Sequence, residues 1–351
     1  MQEYGAVAIK IRMQVLPENP QAWLRLAAIL VGLVIVIASA ISYMTSMPGR
    51  SFSGPLPPLS SAEVVISGNL RKTVTYLAGN IGERNIIAYP QLQATATFIE
   101  SWFKSLGYEV KSQEYVVQMR KVRNISAEIQ GTTTSNEIIV VGAHYDTVYD
   151  CPGADDNTSG IAALLELARL LKDSHPTRTI RFVAFVNEEP PWFQTGSMGS
   201  LVYAKEARRK QEKIVAAISL ETIGMYSDQR GSQEYPEPMG LLYPDRGNFI
   251  GFVGNLSSRA LVRNAIGAFR ETASIPSEGS AAPEFLSGVG WSDHWSFWQE
   301  GYPAFMVTDT APFRNLNYHR PTDKPDTLDY DRMARVVAGL QHVTVTLANS
   351  T

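Results

Sequence analysis

Polarity along the chain changes character four times. Leu26 to Met44, LAAILVGLVIVIASAISYM, runs nineteen residues without a charge, which is close to the length that spans a bilayer. The next stretch, SMPGRSFSGPLPPLSS, is rich in Pro, Ser and Gly and reads as a short, stiff tether. Helical spacing of apolar residues then predicts helices over Ala62–Ala78 and Gln91–Leu106, with Ser60 or Ser61 as the first cap and Gly107 as the stop of the second. YEVKSQEYVV and VRNISAEIQG alternate apolar with polar, as an antiparallel pair with one wet face does. From about Glu137 the pattern shifts to short, wholly apolar runs (EIIVVGAH, TIRFVAFV, IVAAISLE, YPAFMVTDT) separated by amphipathic helical stretches. Continuous apolar strands joined by helices indicate a largely parallel sheet covered on both faces. The fold class is therefore α/β. A last helix is expected from about Asp329 to Ala348. No repeat or second core is apparent, so the expected organisation is residues 1–25 as a cytoplasmic segment, 26–44 as a membrane anchor, 45–61 as a linker and 62–351 as one domain.

Composition narrows the partners. The formal charge is −3 with no dense basic tract, which leaves no electrostatic footprint for nucleic acid. A single cysteine, Cys151, excludes an intrachain disulfide and a cysteine-based zinc knuckle, and nothing near it resembles a cysteine-protease arrangement. Lys10, Arg12 and Arg25 precede the apolar run, so the positive-inside tendency places the N-terminus in the cytoplasm and the rest of the chain outside. The alternative is a cleaved signal peptide, with Ala38–Ala40 as cleavage site and a secreted product. Sequons stand at Asn124 and Asn255.

The chemistry sits where the apolar runs end. GAHYDTVYDCPGADDNTSG follows the first with His144, Asp146, Asp155 and Asp156; RFVAFVNEEPP ends the second with Glu188 and Glu189; AAISLETIG ends the third with Glu221; and His319 follows the closing run. One strand-end carboxylate is ordinarily a cap or a solvated turn residue. Several converging at the carboxyl edge of an open α/β sheet, where ligands bind, are not. Imidazole and carboxylate without thiolate suit zinc or a similar divalent ion, and there are more ligands than one ion uses. A pair of ions needs a bridging carboxylate, and either Asp155 or Asp156 qualifies. Glu188 and Glu189 are adjacent on an extended segment and point opposite ways, so one ligates while the other takes a proton from the attacking water.

These residues resemble the M28-type zinc peptidases, which include bacterial aminopeptidases, related carboxypeptidases and glutaminyl cyclases. The resemblance runs from about Gln91 to the C-terminus through GAHYDTV, GADDNTSG, NEEPP, SLETIG, SDHWSF and YHRPTDKPDTL, in that order. It implies a three-layer α/β/α zinc-exopeptidase fold with a mixed, largely parallel sheet. It implies that Asp155 bridges two zinc ions, that His144 and Glu221 complete one site and Glu189 and His319 the other, that Glu188 is the general base, and that Asp146 stands behind His144. It further implies a cis peptide between Asp155 and Asp156, and an aminopeptidase acting on peptides as the function, with a cyclase or carboxypeptidase as the alternative. Glu221 stands where many members have Asp, and the Gly-rich stretch after the paired glutamates is replaced by PPWF, which is expected to reshape the pocket mouth. Asp293 is expected to pair with His294 in the pocket wall, and Trp291, Trp295 and Trp298 to belong to the core. The long irregular segment Met225–Phe249 is expected to rim the site. Oligomeric state is not legible.

Overall fold

A computed structural model describes residues 19–237 and 239–350, in two compact units divided between Thr45 and Ser46. Lys10 and Arg12, and most of the expected cytoplasmic segment, lie outside the described residues. The first unit contains helix α1, Pro20–Thr45, 26 residues with none buried, long and apolar enough to cross a membrane. It begins six residues before the expected span because Gln21, Trp23 and Arg25 continue the helix without needing to be apolar.

The second unit holds everything else. Its stretch before α2, expected as a short, stiff tether, is hydrogen-bonded to the domain. Arg270 Nη1 donates to Pro48 O at 3.0 Å, the Ser277 N–H donates to Ser51 Oγ at 2.9 Å, and Arg335 Nη2 donates to Pro57 O. Helix α2, Ser61–Val74, opens on a reciprocal cap. Ser60 Oγ accepts from the Glu63 N–H and the Glu63 carboxylate accepts from the Ser60 N–H. Helix α3, Tyr89–Ser105, is stopped at Gly107, whose φ of 88° only glycine adopts readily.

Eight strands form one sheet: β1 Val110–Val117, β2 Arg120–Ile129, β3 Thr134–His144, β4 Arg178–Phe185, β5 Lys213–Glu221, β6 Ile250–Gly254, β7 Ser277–Ala281 and β8 Ala304–Thr308. Their order is β1-β2-β4-β3-β5-β8-β6-β7. The four central strands β4, β3, β5 and β8 are mutually parallel, β1 and β2 add an antiparallel edge, and β6 runs antiparallel to β8 and parallel to β7. This is the mixed, largely parallel sheet that the apolar runs imply. The sequence pattern missed β6 and β7: IGFVG is short, and SEGSA carries three polar residues in five.

Residues 139, 141 and 143 of β3 and 180, 182 and 184 of β4 join the core shared with α4 (Gly160–Leu171) and α8 (Tyr330–Asn349). The alternate face meets α5 (Gly199–Arg209) and the short α7 (His294–Gln299) through Phe185, Tyr203 and Phe297, whose ring centroids lie 5.6 to 6.1 Å apart. Helix α6, Arg259–Thr272, covers β6 and β7. With both faces covered, the carboxyl edge of the parallel strands is where polar side chains can gather.

Candidate metal centre

Because β4, β3, β5 and β8 are adjacent and parallel, they end side by side and deliver His144, Glu188 and Glu189, Glu221 and the loop carrying His319 to one place. His144 Nε2 lies 3.3 Å from Asp156 Oδ1 and 3.3 Å from Glu221 Oε2. On the other side, His319 Nε2 lies 3.0 Å from Asp156 Oδ2 and 3.3 Å from Glu189 Oε2. The two oxygens of one carboxylate thus face two imidazoles, each with a second carboxylate beside it. Glu188 turns toward the first group, its Oε2 3.8 Å from His144 Nε2, while Glu189 turns to the second, as neighbours on extended backbone do.

The residue at the middle is Asp156, whereas the resemblance implied Asp155. Asp155 is occupied elsewhere: its Oδ1 accepts from the Gly224 N–H at 2.9 Å and its Oδ2 from Asn315 Nδ2 at 2.8 Å. Correspondingly, the cis peptide joins Asp156 to Asn157 rather than Asp155 to Asp156. Asp156 is aimed by the tight loop before α4. Gly153 there has φ 60°, and a Cβ on it would stand 2.3 Å from Asp156 O and 2.4 Å from Thr147 Cγ2.

Several residues that sequence reasoning missed hold this arrangement. Asp323 accepts from the consecutive N–H groups of Asp155 (2.9 Å) and Asp156 (3.1 Å). Arg84, fully buried, donates to the carbonyls of Tyr145, Gly82, Pro152 and Gly153 and to Thr158 Oγ1, which clamps the loop from behind. Burial lowers its pKa to about 10, with nearby carboxylates opposing. Asn157 Nδ2 donates to Leu220 O, and Ser292 Oγ donates to Glu221 Oε2 at 2.7 Å, so a hydroxyl fixes the same oxygen of the longer glutamate that faces His144. Asp323 sits in a Pro- and Thr-rich run and Arg84 in a loop, where nothing in the pattern separates them from surface residues.

Asp146 lies beside His144 but at 3.6 Å from Nδ1, beyond a hydrogen bond. Its carboxylate instead accepts from the N–H groups of Glu188 and Glu189, both at 3.1 Å. His294 does not pair with Asp293. Its Nε2–H donates to Val289 O at 2.7 Å, while Asp293 is fully buried and its carboxyl is raised to about 7 by burial, with His144 opposing. Trp298 is buried as expected, but Trp291 is 45% exposed and stacks on Phe313 at 6.2 Å. Cys151 Sγ donates to Arg320 O, and burial raises the thiol to about 12, so it is no nucleophile. Asn124 and Asn255 are both buried and hydrogen-bonded, which closes both sequons in the folded chain.

Electrostatically the cluster asks for cations. Burial opposes charge on His144, yet the carboxylates of Glu221, Glu188, Asp146 and Asp156 outweigh it and hold its pKa well above the usual imidazole value. His319 is raised to about 10: burial lowers it, but Asp156 and Glu189 win. Burial and the Asp156 charge push Glu189 up to about 8, and burial drives Glu188 up as well, with His144 opposing. Both ring nitrogens of His144, His319 Nε2, Asp156 Oδ1 and Glu189 Oε1 are buried and accept or donate no hydrogen bond among the described residues. Buried polar atoms are ordinarily paired, so this orphaned set of oxygen and nitrogen donors fits a divalent metal of the zinc type. His144, Asp156 and Glu189 can present ligand atoms within 4.8 Å of one another.

The model of Peptidase family M28 matches residues 124–344. The chain belongs to that family. Membership makes this M28 chain a peptidase. It is 40% identical over 280 residues to the Escherichia coli K12 protein YfbL, covering 77% of this chain and 85% of that one. It is 30% identical over 234 residues to a probable leucine aminopeptidase of Arthroderma otae, covering 62% of this chain and 55% of the fungal one. Among solved structures, a zinc aminopeptidase from Bacillus subtilis has the same fold, with a TM-score of 0.65 at 15% identity over 81% of this chain and 95% of that one. Glutaminyl cyclase from Fimbriiglobus ruber shares it with a TM-score of 0.57 at 19% identity, over 85% and 98%.

Beside this cluster the M28 domain has an open, largely apolar cleft that Glu221 and Tyr318 border. Tyr235, Met239, Tyr243 and Phe249 of the irregular segment line it, together with Trp291 and Phe313. None of residues 190–193 does, so the PPWF stretch does not reshape the mouth of this cleft as expected.

Proposed function

We propose that this chain is an exported, membrane-anchored, zinc-dependent aminopeptidase that removes N-terminal residues from peptides, with two zinc ions per chain. The observation that carries this reading is Asp156, whose two oxygens each face a separate imidazole and a separate second carboxylate. His144, Asp156 and Glu221 would hold one ion, and Asp156, Glu189 and His319 the other. When bound, such a pair polarises a carbonyl oxygen and makes a water acidic.

The chain's own residues supply the remaining chemistry. Glu188 is buried beside the first group, with its backbone N–H fixed by Asp146, and its carboxyl lies above the usual range. As the carboxylate it takes the proton of the attacking water, and as the resulting acid it returns that proton to the leaving amine. Asp146 and Asp323 keep the two acidic pairs in register. The apolar cleft next to Glu221 receives the side chain of the residue being removed. The similarity to the fungal probable leucine aminopeptidase supports an aminopeptidase.

Helix α1, at 1.5 Å per residue, is about 39 Å long, which exceeds a hydrocarbon core of about 30 Å, and Arg25 lies toward its N-terminal end. This supports an anchor with the peptidase domain outside the cytoplasm; cleavage of the helix as a signal sequence is the second reading.

The test uses the full chain, loaded with zinc, on one peptide offered with a free amino terminus and N-acetylated, with products read by mass spectrometry. Stepwise loss of N-terminal residues from the free peptide alone, abolished in Glu188→Gln, is expected. Trimming of both peptides from the other end, or cyclisation of an N-terminal glutamine, would replace the proposal.

A further inference from the structure

The floor of the cleft is one row of residues across four strands. Glu221 pairs with Thr308, Thr308 with Gly251, and Gly251 with Glu278, and all four line the same cavity. Directly paired residues share a face of a sheet, so Glu278 looks into the cleft that Glu221 borders. At a strand spacing of 4.7 to 4.9 Å, the two glutamates stand about 14 Å apart at the backbone.

What surrounds Glu278 does not satisfy it. Its neighbour in the row, Gly251, has no side chain to cover it. The walls are aromatic: Tyr235 stacks on Tyr243 at 5.8 Å, and Trp291 stacks on Phe313. Glu278 makes no hydrogen bond or ion pair within the described residues. The nearby cation, Arg270, spends its donors on Ser277 Oγ, Ser277 O and Pro48 O. Burial accordingly raises the Glu278 carboxyl, with only Arg270's charge opposing. Glu278 is half-buried and unpaired among apolar walls, so a ligand that brings its own cation supplies the partner this cleft lacks.

We propose that Glu278 selects peptides whose N-terminal residue is lysine or arginine, by pairing with the cationic head at the far end of the cleft. This rests on the aminopeptidase reading above. The long apolar stems of these side chains lie against the aromatic walls while the charged head reaches the carboxylate. A flat guanidinium or an ammonium near Tyr243 or Trp291 is further favoured by the ring faces.

The experiment compares kcat/KM of the zinc-loaded full chain on lysyl, arginyl, norleucyl and citrullyl p-nitroanilides. Norleucine and citrulline remove the charge and keep the length. The wild type is expected to prefer lysine over norleucine, and arginine over citrulline, by about 10- to 100-fold, the range for a hydrogen bond to a charged group. Glu278→Gln is expected to erase the preference, lowering turnover of the lysyl and arginyl substrates relative to their norleucyl and citrullyl counterparts, and Glu278→Asp to retain part of it. A wild-type enzyme that cleaves norleucine as well as lysine overturns the proposal without any variant and leaves the aminopeptidase reading intact. So does a Glu278→Gln enzyme that keeps the preference. Failure to cleave any of the four would overturn both together.

Discussion

Asp146 and Asp323 perform the same task on two sides of the site. Each carboxylate accepts the N–H groups of two consecutive acidic residues, Glu188 and Glu189 for Asp146, Asp155 and Asp156 for Asp323, at 2.9 to 3.1 Å. Like-charged side chains are thereby held at fixed positions by their own backbones.

Asp146→Asn and Asp323→Asn should each replace one accepting oxygen with a donor that faces an N–H. Zinc affinity should fall about 10- to 100-fold, as it does when groups behind metal ligands are removed. Stability should drop by about 1 to 3 kcal/mol. Zinc titration against a competing chelator and thermal unfolding check both, and unchanged affinity would show that the backbone holds itself.

Asp155 and Asp156 should separate cleanly. Asp156→Ala is expected to lose both ions and all activity, because each metal group draws on one of its oxygens. Asp155→Asn should keep bound zinc and lose mainly stability, since its contacts are with Gly224 and Asn315. Zinc per chain, measured by elemental analysis, distinguishes the two.

That pair also marks where the sequence ran out. The apolar runs of β3, β4, β5 and β8 made a parallel sheet legible, and the polar residues at their ends made the site legible. Which of two adjacent aspartates enters the site depends on the backbone through Gly153 to Asn157, and no periodicity encodes that. β6 was invisible because it is only five residues long and β7 because a strand of Ser, Glu and Gly has no apolar alternation, yet both contribute to the floor of the cleft. Asp323 and Arg84 act through single contacts distant in sequence, and their residue types are ordinary in loops.

Zinc binding should release protons. His319, raised to about 10, and His144, raised above its usual value, each hold a proton more tightly than a free imidazole, and a metal on the same nitrogen must displace it. Affinity should therefore weaken as pH falls, by about tenfold per unit for each proton displaced. Calorimetric titration in buffers of different ionisation enthalpy counts them, and a value near zero would contradict the paired imidazoles.

Acid stability should carry a signature of His294. Burial lowers its pKa from 6.5 to about 4, with the Val289 carbonyl opposing, so the folded chain keeps the ring neutral. Between those values the unfolded chain binds a proton that the folded chain does not, and stability falls as pH drops through that window. The zinc-saturated His294→Gln variant should show a shallower loss between pH 6.5 and 4 than the wild type in denaturant unfolding. Parallel curves would assign the loss to other groups.

The central claim is that two zinc ions share Asp156, and diffraction from zinc-loaded crystals at the zinc absorption edge tests it most directly. Two anomalous peaks are predicted, one contacting His144, Glu221 and Asp156 Oδ1, the other contacting His319, Glu189 and Asp156 Oδ2. A single peak, or a peak bridged by Asp155, would contradict it.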